Sequence, residues 1–578
     1  MMSQPTSYQP AAGAAKQLLR GEWQPILFAE RLRRNELLKL SPHWPCREVV
    51  IRVHRNHAFE PVAGAMPPFL AYADFEGRFQ YGAYDDSLSF QGLEGDADIE
   101  FLWLDFERYG PDTDVQTLLD WLLTRLRALR ERSAASIVIG NWAPAGAETA
   151  SFNARLSKSA VGLPGCHVFD LAAIAQTLGE RFLDRRAEAV AGTPLGNRAC
   201  LEAARQLGAR YVPALMAPRI KAVVVDLDET LYRGVLGEDG AQALQLTPAH
   251  RALQTELLRL QEQGVLLAIA SRNDPADVES LFRERPDFPL RPERISAWAV
   301  GWDPKTLSLG RIAEQLRIDP SAMLFIDDNP GEIAAVAEAI PSLRCLIARP
   351  DADETLRSLR DQPGLLRLRD DVTDTLRAGD LAASALRERL ERESSDPLSY
   401  LSSLELELAF MLDPRPALGR LHELSQKTNQ MNLSLSRLSE VEVSRRLDDE
   451  ASGVIAISLR DRLSDSGIIG AFFARHEGHA VVVEELCISC RALGRSLEDL
   501  MVGESIRRLS EEWPDAVRVF FETRQGPRNQ PARQWLERAM GTEVVGDTRI
   551  ELEMAAGKSL GDRDELPVRV QWLDAADG

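Results

Sequence analysis

The chain has 578 residues, which leaves room for three or four domains, and its 27% charged and 44% apolar residues are ordinary for a globular protein. The formal net charge of −20 argues against nucleic-acid binding, because a polyanion would be repelled. No segment approaches the roughly 18 apolar residues that a membrane-spanning helix requires.

The cysteines and the first residues indicate a compartment. Six cysteines are scattered along the chain, a pattern typical of reduced thiols rather than of a disulfide framework. The opening residues lack the apolar run of a signal peptide. We therefore expect a cytoplasmic protein in which residues 1–19 form a flexible N-terminus.

Residues 20–215 alternate between strand-like and helix-like patterns, which indicates an α/β domain. Strands are predicted at 47–53, 99–106 and 136–142, and an amphipathic helix at 118–132. An esterase could have such a fold, but the Gly-Asp-Ser nucleophile motif is missing. Asn141, after the third strand, is better explained as a turn residue than as a catalytic one. We expect a structural or partner-binding domain.

A second α/β block is predicted over residues 216–350. Apolar runs at 222–225, 265–270 and 323–326 each stop at a polar cluster. Continuous apolar runs are typical of buried parallel strands, and the helical pattern at 250–264 supplies a crossover. Residues 351–397 are rich in charge and predict a solvated helix and linker.

Residues 398–578 predict a third domain of mixed α+β type. The predicted elements are a helix at 415–426, strands near 453–460, 468–475 and 479–488, and a helix at 497–510. The stretch between the last strand and the last helix contains the turn RALGRS. A glycine-containing turn that leads into a helix can present backbone N–H groups to an anion.

The polar clusters that end the second block's strands predict phosphoryl chemistry. Asp226 and Asp228 are two residues apart, so both carboxylates can converge at the carboxyl end of the first strand, with Thr230 following. The next strands and a loop contribute Ser271, Lys305, Asp327 and Asp328. Carboxylates suit Mg²⁺, while a hydroxyl and a cation suit a phosphoryl group.

The spacing of these groups bears on the substrate. Ser271 follows Asp226 by 45 residues, and Lys305 follows Ser271 by 34, which leaves no room for a large cap domain. An open site can accept bulky or protein-tethered substrates. Small metabolites usually need a lid that excludes water, so another domain or a partner would have to supply it.

The four motifs and their order resemble the haloacid-dehalogenase superfamily of phosphatases. The resemblance implies that Asp226 is the nucleophile and Asp228 the general acid and base. It also implies that Thr230, Ser271 and Lys305 bind the phosphoryl group. Mg²⁺ would be held by Asp226, the backbone carbonyl of Asp228, and Asp327, with Asp328 nearby.

The sequences of the motifs resemble those of a narrower group, the FkbH-like proteins. The matching segments are LYRGVLGEDG (231–240), ASRNDP (270–275), FIDDNPGE (325–332), LSQKTNQMNLS (424–434) and CISCRALGRSLED (487–499). Characterised members of that group take the glyceryl unit of 1,3-bisphosphoglycerate and load it on an acyl carrier protein. Two departures stand out. Leu227 lies in the region where a carrier cysteine is expected, and Tyr232 replaces the usual Trp.

The RALGRS turn resembles the acyl-CoA loop of GCN5-type acetyltransferases. The resemblance implies that Arg491, Gly494 and Arg495 contact a pyrophosphate or phosphopantetheine. A helix cap with solvated arginines is the alternative, and loop capping is an equal alternative for the amide-rich cluster at 427–432. Cys490 is a candidate thiol, although a cysteine at a strand end is more often simply buried. Zinc at Cys487 and Cys490 is disfavoured because no second pair exists.

The expected fold class is therefore multidomain α/β: a Rossmann-like haloacid-dehalogenase core, an N-terminal α/β domain and a GCN5-type C-terminal α+β domain. The leading hypothesis is a Mg²⁺-dependent phosphatase and acyltransferase. It would dephosphorylate an acyl phosphate or a small phosphorylated acid and deliver the acyl unit to an acyl carrier protein or another phosphopantetheine-bearing partner of polyketide-type biosynthesis. The alternatives are a plain Mg²⁺-dependent phosphatase and a non-catalytic assembly-line scaffold.

Overall fold

The computed structural model describes residues 12–85, 87–91, 95–109, 114–143, 146–186, 188–369, 372–394, 396–489, 492, 495, 497–541, 543–561 and 566–574. The chain divides into two compact units, Met1–Asp370 and Asp371–Gly578, which are described separately. In the part of the chain that is described, no helix combines the length and the apolar character needed to cross a bilayer.

The first unit contains ten strands and sixteen α-helices among its described residues. The strands are β1 Arg47–Arg55, β2 Phe75–Tyr84, β3 Ile99–Trp103, β4 Ser136–Gly140, β5 Cys166–Phe169, β6 Ala222–Val225, β7 Leu266–Ser271, β8 Ala297–Val300, β9 Met323–Asp327 and β10 Arg344–Ile347. The helices are α1 Ala12–Leu27, α2 Arg34–Leu37, α3 Glu60–Ala63, α4 Pro67–Tyr72, α5 Val115–Arg132, α6 Ala147–Val161, α7 Leu171–Leu178, α8 Glu188–Ala191, α9 Asn197–Arg205, α10 Val212–Met216, α11 Leu236–Asp239, α12 Pro248–Glu262, α13 Pro275–Glu284, α14 Lys305–Leu316, α15 Pro330–Ala339 and α16 Ala352–Arg360.

These strands form two five-stranded sheets, each wholly parallel. The first has the order β2-β1-β3-β4-β5, and the second has the order β10-β9-β6-β7-β8. The strands β6, β7 and β9 are buried along their whole length, as their continuous apolar runs predict, and β3 is also buried throughout although it contains Glu100. The predicted α/β class is confirmed for this unit. The partly exposed β8 and the four-residue β10 were not predicted, because neither carries a long apolar run.

The N-terminus differs from the flexible segment expected for residues 1–19. The helix α1 begins at Ala12, and Ala14 and Gln17 are buried. Gln17 donates a hydrogen bond to the carbonyl of Leu343, and the N–H of Ile347 donates to Gln24 Oε1 at 3.2 Å. The helix therefore packs against β10 of the second sheet, although it precedes the first sheet in the chain.

The solvated linker expected at 351–397 is also corrected. The helix α16 buries Leu356 and Leu359 in the core that surrounds β6 and β7. In the second unit, the helix α17 Val372–Glu393 buries Asp380 and Arg387. The high charge of this segment hid these buried positions, because a charged helix can still bury one stripe of residues.

The second unit holds a mixed sheet with helices around it. Its strands are β11 Leu406–Leu412, β12 Met431–Asn432, β13 Ser452–Arg460, β14 Asp465–Glu477, β15 Ala480–Ile488, β16 Arg518–Thr523, β17 Thr548–Glu553 and β18 Val568–Leu573. Its helices are α17, α18 Pro397–Leu404, α19 Leu418–Lys427, α20 Glu440–Asp448, α21 Glu498–Glu512, α22 Gln530–Met540 and α23 Met554–Lys558. The sheet order is β17-β16-β15-β14-β13-β11-β18, and β12 pairs with β15. The predicted α+β class is confirmed.

Candidate active site

The second sheet of the first unit gathers the predicted polar groups at one edge. Asp226 follows β6, Ser271 ends β7, Asp327 ends β9, and Lys305 begins α14 after β8. The strands β9, β6 and β7 are neighbours and run parallel, so their carboxyl ends meet. The structure thus brings together residues that lie up to about a hundred positions apart in the sequence, as parallel α/β topology requires.

The centre of the site is a buried ion cluster. Lys305 Nζ lies 2.7 Å from Asp226 Oδ1 and 3.1 Å from Asp327 Oδ2. It also donates a hydrogen bond to the carbonyl of Ala270, at the end of β7. Lys305 is 2% exposed and Asp327 is fully buried. One ammonium group therefore faces two carboxylates out of reach of bulk water, which leaves net negative charge at this edge.

Three carboxylates in the site have pKa values above the ordinary range. Burial raises the pKa of Asp226 and of Asp327, and Lys305 opposes this effect in both. Burial and then the neighbouring Asp327 raise the pKa of Asp328 to about 6. A divalent cation would relieve this repulsion, because it stabilises the charged form of each group.

The donor set fits Mg²⁺. Oxygens of Asp226, Asp327 and Asp328 lie within 4.8 Å of one another, close enough to share one ion. Such all-oxygen sets suit Mg²⁺ better than softer metals. The side chain of Asp228 points to other partners, so only its backbone carbonyl is left for the metal role that the resemblance implies. These residues could hold the ion, which would neutralise charge on a bound phosphoryl group.

Asp228 is held by three hydrogen-bond donors. The Tyr232 hydroxyl donates to Oδ1 at 2.7 Å, and the Leu236 N–H donates to the same oxygen at 2.9 Å. The Asn273 amide donates to Oδ2 at 2.8 Å and also to Ser271 Oγ at 3.0 Å. Burial and the adjacent Asp228 carboxylate raise the pKa of Tyr232 above its usual range, so the phenol keeps its proton.

The segment GVLGEDG forms the turn that supplies the Leu236 N–H. Gly234 has φ +116°, and a Cβ there would lie 2.9 Å from a methyl group of Leu244, so the position requires glycine. Its N–H donates to Glu229 Oε1 at 2.7 Å, and the N–H of Val235 donates to Asp239 Oδ2 at 2.8 Å. The acidic residues of the motif therefore hold a turn beside the site.

Thr230 is placed for a phosphoryl oxygen. It is 2% exposed, and its hydroxyl has no hydrogen-bond partner among the described residues. A buried hydroxyl without a partner is costly, and an acceptor from a ligand would satisfy it. Ser271 is likewise buried, and Asn273 donates to its oxygen. The phosphate-binding role predicted for the two hydroxyls stays a prediction.

Tyr232 and Asn273 were not predicted as site residues. Both stood in segments that the motif comparison had already selected, and Tyr232 was marked as a departure from the usual Trp. Tyr232 and Asn273 lie four and 45 positions after Asp228. Their hydrogen bonds to it cannot be predicted from the spacing in the sequence, because they depend on the turn at Gly234 and on the neighbouring strand ends.

The first sheet places Asn141 in a turn. Its amide donates to Asp170 Oδ1 at 2.8 Å, and its carbonyl oxygen accepts from the Ala172 N–H at 2.8 Å. Both contacts hold the start of α7 against the end of β4. The turn role predicted for Asn141 is therefore the one that its contacts support.

In the second unit, the predicted acyl-carrier or CoA site is only partly described. Cys490, Arg491 and Gly494 lie outside the described residues. Arg495 is 5% exposed, and its guanidinium lies 3.7 Å from Asp461 Oδ2. Arg387 Nε also contacts that carboxylate, at 2.8 Å. Arg495 therefore belongs to a buried ion cluster, which contradicts the alternative of solvated arginines for this residue, and burial lowers its pKa. Its predicted contact with a pyrophosphate or phosphopantetheine stays a prediction.

The edge of β15 in the same unit is occupied by the chain itself. The strands β15 and β16 pair in parallel only from Ala480 to Val483. Farther along, β12 pairs with the end of β15, so that Asn432 is opposite Cys487. The N–H of Arg524 then donates to the Leu433 carbonyl at 2.9 Å. The segment 430–433 therefore fills the space that opens between the two strands.

Side chains fix this segment in place. The Asn529 amide donates to the carbonyl of Asn432 at 3.0 Å, and the Asn432 amide donates to Glu485 Oε1 at 2.8 Å. Asn429 accepts a hydrogen bond from Arg437 at 2.6 Å. The amide-rich cluster thus makes the capping contacts that were the alternative to a ligand role, and the backbone of β15 at Cys487 and Ile488 is already paired with this segment.

Comparisons with known proteins give matches among solved structures. No protein-family model matches the chain, and no curated protein does. Among solved structures, the N-terminal part of a Bacteroides fragilis protein, containing a phosphatase domain and complexed with Mg, is 18% identical. It covers 55% of this chain and 93% of its own, with a TM-score of 0.47.

Two further structures are similar to shorter parts. Moraxella catarrhalis 3-deoxy-D-manno-octulosonate 8-phosphate phosphatase, in complex with magnesium ion, phosphate ion and KDO, is 20% identical, covers 27% of this chain and 92% of its own, and has a TM-score of 0.20. Tetrahymena GCN5 is 10% identical, covers 25% of this chain and 95% of its own, and has a TM-score of 0.17.

Proposed function

We propose that this chain is a Mg²⁺-dependent phosphatase of the haloacid-dehalogenase type that acts on an acyl phosphate or a small phosphorylated acid. The contact that carries the proposal is Lys305 between Asp226 and Asp327, at the meeting point of three strand ends. Asp328 completes a carboxylate cluster of the right size for one ion. The partnerless Thr230 hydroxyl and Ser271 supply phosphate contacts.

In the proposed reaction, an Asp226 oxygen forms a bond to phosphorus while the bond from phosphorus to the leaving oxygen breaks. Asp228 gives that oxygen a proton where it needs one, then takes a proton from the water that releases phosphate from Asp226. Bound Mg²⁺ and Lys305 supply the positive charge that lets an anionic nucleophile meet an anionic phosphate.

The finer proposal is that the acyl unit is loaded on an acyl carrier protein or another phosphopantetheine-bearing partner. It is supported by the resemblance of the sequence to FkbH-like proteins around the site and at 424–434 and 487–499. In that step the carrier thiolate reacts with the intact acyl phosphate in place of Asp226: it forms a bond to the acyl carbon, and the bond from that carbon to the phosphate oxygen breaks, so that inorganic phosphate leaves. The cytoplasmic location remains a prediction from the scattered cysteines.

Plain hydrolysis is the second candidate. Leu227 occupies the position between the aspartates and is fully buried. Cys345 and Cys487 are buried, and burial raises the pKa of each thiol, to about 12 for Cys345. A buried thiol with a raised pKa is a poor nucleophile. Neither Cys345 nor Cys487 is therefore suited to carry the acyl unit, which favours either hydrolysis or direct transfer to a partner; Cys490 lies outside the described residues.

One experiment separates the candidates. The full chain would be mixed with 1,3-bisphosphoglycerate, Mg²⁺ and candidate carrier proteins, and both phosphate release and the intact mass of each carrier would be measured. Mass gain supports loading, and phosphate release without mass gain supports hydrolysis. Asp226→Asn should abolish hydrolysis, whereas Asp277→Asn, an exposed aspartate on α13, should leave it unchanged. A chain that releases no phosphate from any ester or acyl phosphate would contradict the proposal and favour a scaffold.

A further inference from the structure

The acid–base carboxylate and the phosphate-binding hydroxyl are tied into one hydrogen-bonded group. Asn273 donates to both Asp228 Oδ2, at 2.8 Å, and Ser271 Oγ, at 3.0 Å. Asn273 is 3% exposed, so solvent does not compete for these bonds. The two residues that would act on the same phosphoryl group therefore have a fixed separation.

Tyr232 holds the opposite side of the same carboxylate. Its hydroxyl donates to Asp228 Oδ1 at 2.7 Å, and its side chain is fully buried. The ring packs against Phe288, with a centroid distance of 5.8 Å. A buried, packed aromatic side chain has few accessible rotamers, so its hydroxyl is a rigid donor.

The fold explains why the Asp228 carboxylate needs to be held by hydrogen bonds from nearby residues. Between Asp226 and Ser271 the structure has only the short helix α11 and the crossover helix α12. These described residues include no separate domain that could close over Asp228 and orient it. The orientation must then come from residues inside the core, and Tyr232, Asn273 and the Leu236 N–H supply it.

We infer that Tyr232 is a positioning residue: its hydroxyl fixes the Asp228 carboxylate at the leaving oxygen of the substrate. The inference rests on the proposed phosphatase activity and extends it to a residue outside the four motifs. Loss of the hydroxyl leaves the Leu236 N–H as the remaining donor to Asp228 Oδ1, so the carboxylate is oriented less strictly. The cost falls on proton transfer to the leaving oxygen, and contacts with the phosphoryl group are left intact.

The leaving group provides the test. p-Nitrophenolate leaves readily without a proton, whereas phenolate depends more on one. In Tyr232→Phe, kcat for phenyl phosphate should fall about 10- to 30-fold, while kcat for p-nitrophenyl phosphate and both KM values should change less than about twofold. Tyr211→Phe is the matched control, because it also removes a tyrosine hydrogen bond, in this case to the carbonyl of Val168 on β5 of the first sheet.

A double-mutant cycle shows whether the effect passes through Asp228. In an Asp228→Asn background, Tyr232→Phe should cause no further loss with phenyl phosphate, the substrate on which the single variant loses activity. If Tyr232→Phe fails to fold, Asn273→Ala should give the same leaving-group dependence together with a higher KM, because Asn273 also contacts Ser271.

Two outcomes would overturn the inference: equal loss with both substrates, or no loss with either. A wild-type chain that releases no phosphate from any ester or acyl phosphate with Mg²⁺ would instead contradict the proposed function, so the two failures are distinguishable.

Discussion

Lys305 Nζ and Asp226 Oδ1 form a buried ion pair of 2.7 Å, and the same ammonium lies 3.1 Å from Asp327. The lysine begins a helix and the two aspartates end neighbouring strands. None of the three groups is needed to form the helix or strand that carries another. Their contact therefore belongs to the site, and it makes the stability of this edge of the sheet depend on a positive charge.

The first prediction is that Lys305→Met destabilises the metal-free protein. The substitution leaves two buried carboxylates without a counter-ion, so the free energy of unfolding should fall by about 3 kcal/mol. Urea unfolding, followed by tryptophan fluorescence, would measure it. Arg311→Met removes an exposed cation that pairs with Asp303 and should cost less than about 1 kcal/mol. Equal effects of the two substitutions would argue against a buried charge cluster.

The second prediction concerns pH and Mg²⁺. Since the folded-state pKa of Asp328 is raised to about 6, its neutral form is favoured in the fold. Its contribution to stability is complete below the unfolded pKa and is lost as the pH rises through about 6. Asp226 and Asp327 shift in the same direction. The metal-free protein should therefore lose stability between mildly acidic and neutral pH.

Mg²⁺ should reverse this loss, because it binds the ionised carboxylates. Thermal melts at neutral pH should show a Mg²⁺-dependent rise in Tm, and the rise should shrink at pH values near the unfolded pKa. Asp328→Asn should stabilise the metal-free protein by roughly 1 kcal/mol at neutral pH, allowing for partial solvent screening, and should weaken the response to Mg²⁺. A response to Mg²⁺ that is independent of pH would contradict the cluster as the binding site.

The third prediction is that the second unit does not bind coenzyme A between β15 and β16. The segment 430–433 already bonds both strands there. Titration calorimetry of the full chain with coenzyme A should give no saturable heat. Saturable binding that protects this segment from hydrogen exchange would contradict the prediction and show that the segment rearranges to admit coenzyme A.

Asn529→Ala tests the same segment by stability. The Asn529 amide donates to the carbonyls of Asn432 and Arg524, at 3.0 and 2.8 Å, and is buried. Removing it leaves buried acceptors unsatisfied, so the second unit should lose about 1–3 kcal/mol. Asn153→Ala, which breaks the hydrogen bonds to Trp142 in the first unit, is a control, since it should not change hydrogen exchange at 430–433.

Much of the site could be predicted from the sequence because many of its residues lie at the ends of strands. An apolar run followed by Asp226 or Asp327 marks both the strand and the edge where it stops, and parallel sheets bring such edges together. The strands at 222–225 and 323–326 and the helix at 250–264 were placed within two residues by this reasoning. The same reasoning placed β13, β14 and β15 in the second unit.

The remaining features depend on contacts that local patterns do not record. The helix α1 looked like a mobile start because its partner, β10, lies more than 300 positions away. Arg495 looked like an anion ligand because arginine in a glycine turn is usually solvated, and only packing against Asp461 buries it.

The sequence by itself determined the α/β character of the first unit, the strand ends that carry Asp226, Ser271 and Asp327, and the acidic character of the site, because apolar periodicity and strand-terminal polar residues are local properties. Only the tertiary structure decided that Tyr232 and Asn273 donate hydrogen bonds to Asp228 and that residues 430–433 pair with the edge of β15. Those contacts join segments whose distance apart is set by how the chain folds back, and buried hydrogen bonds form only once water has been excluded.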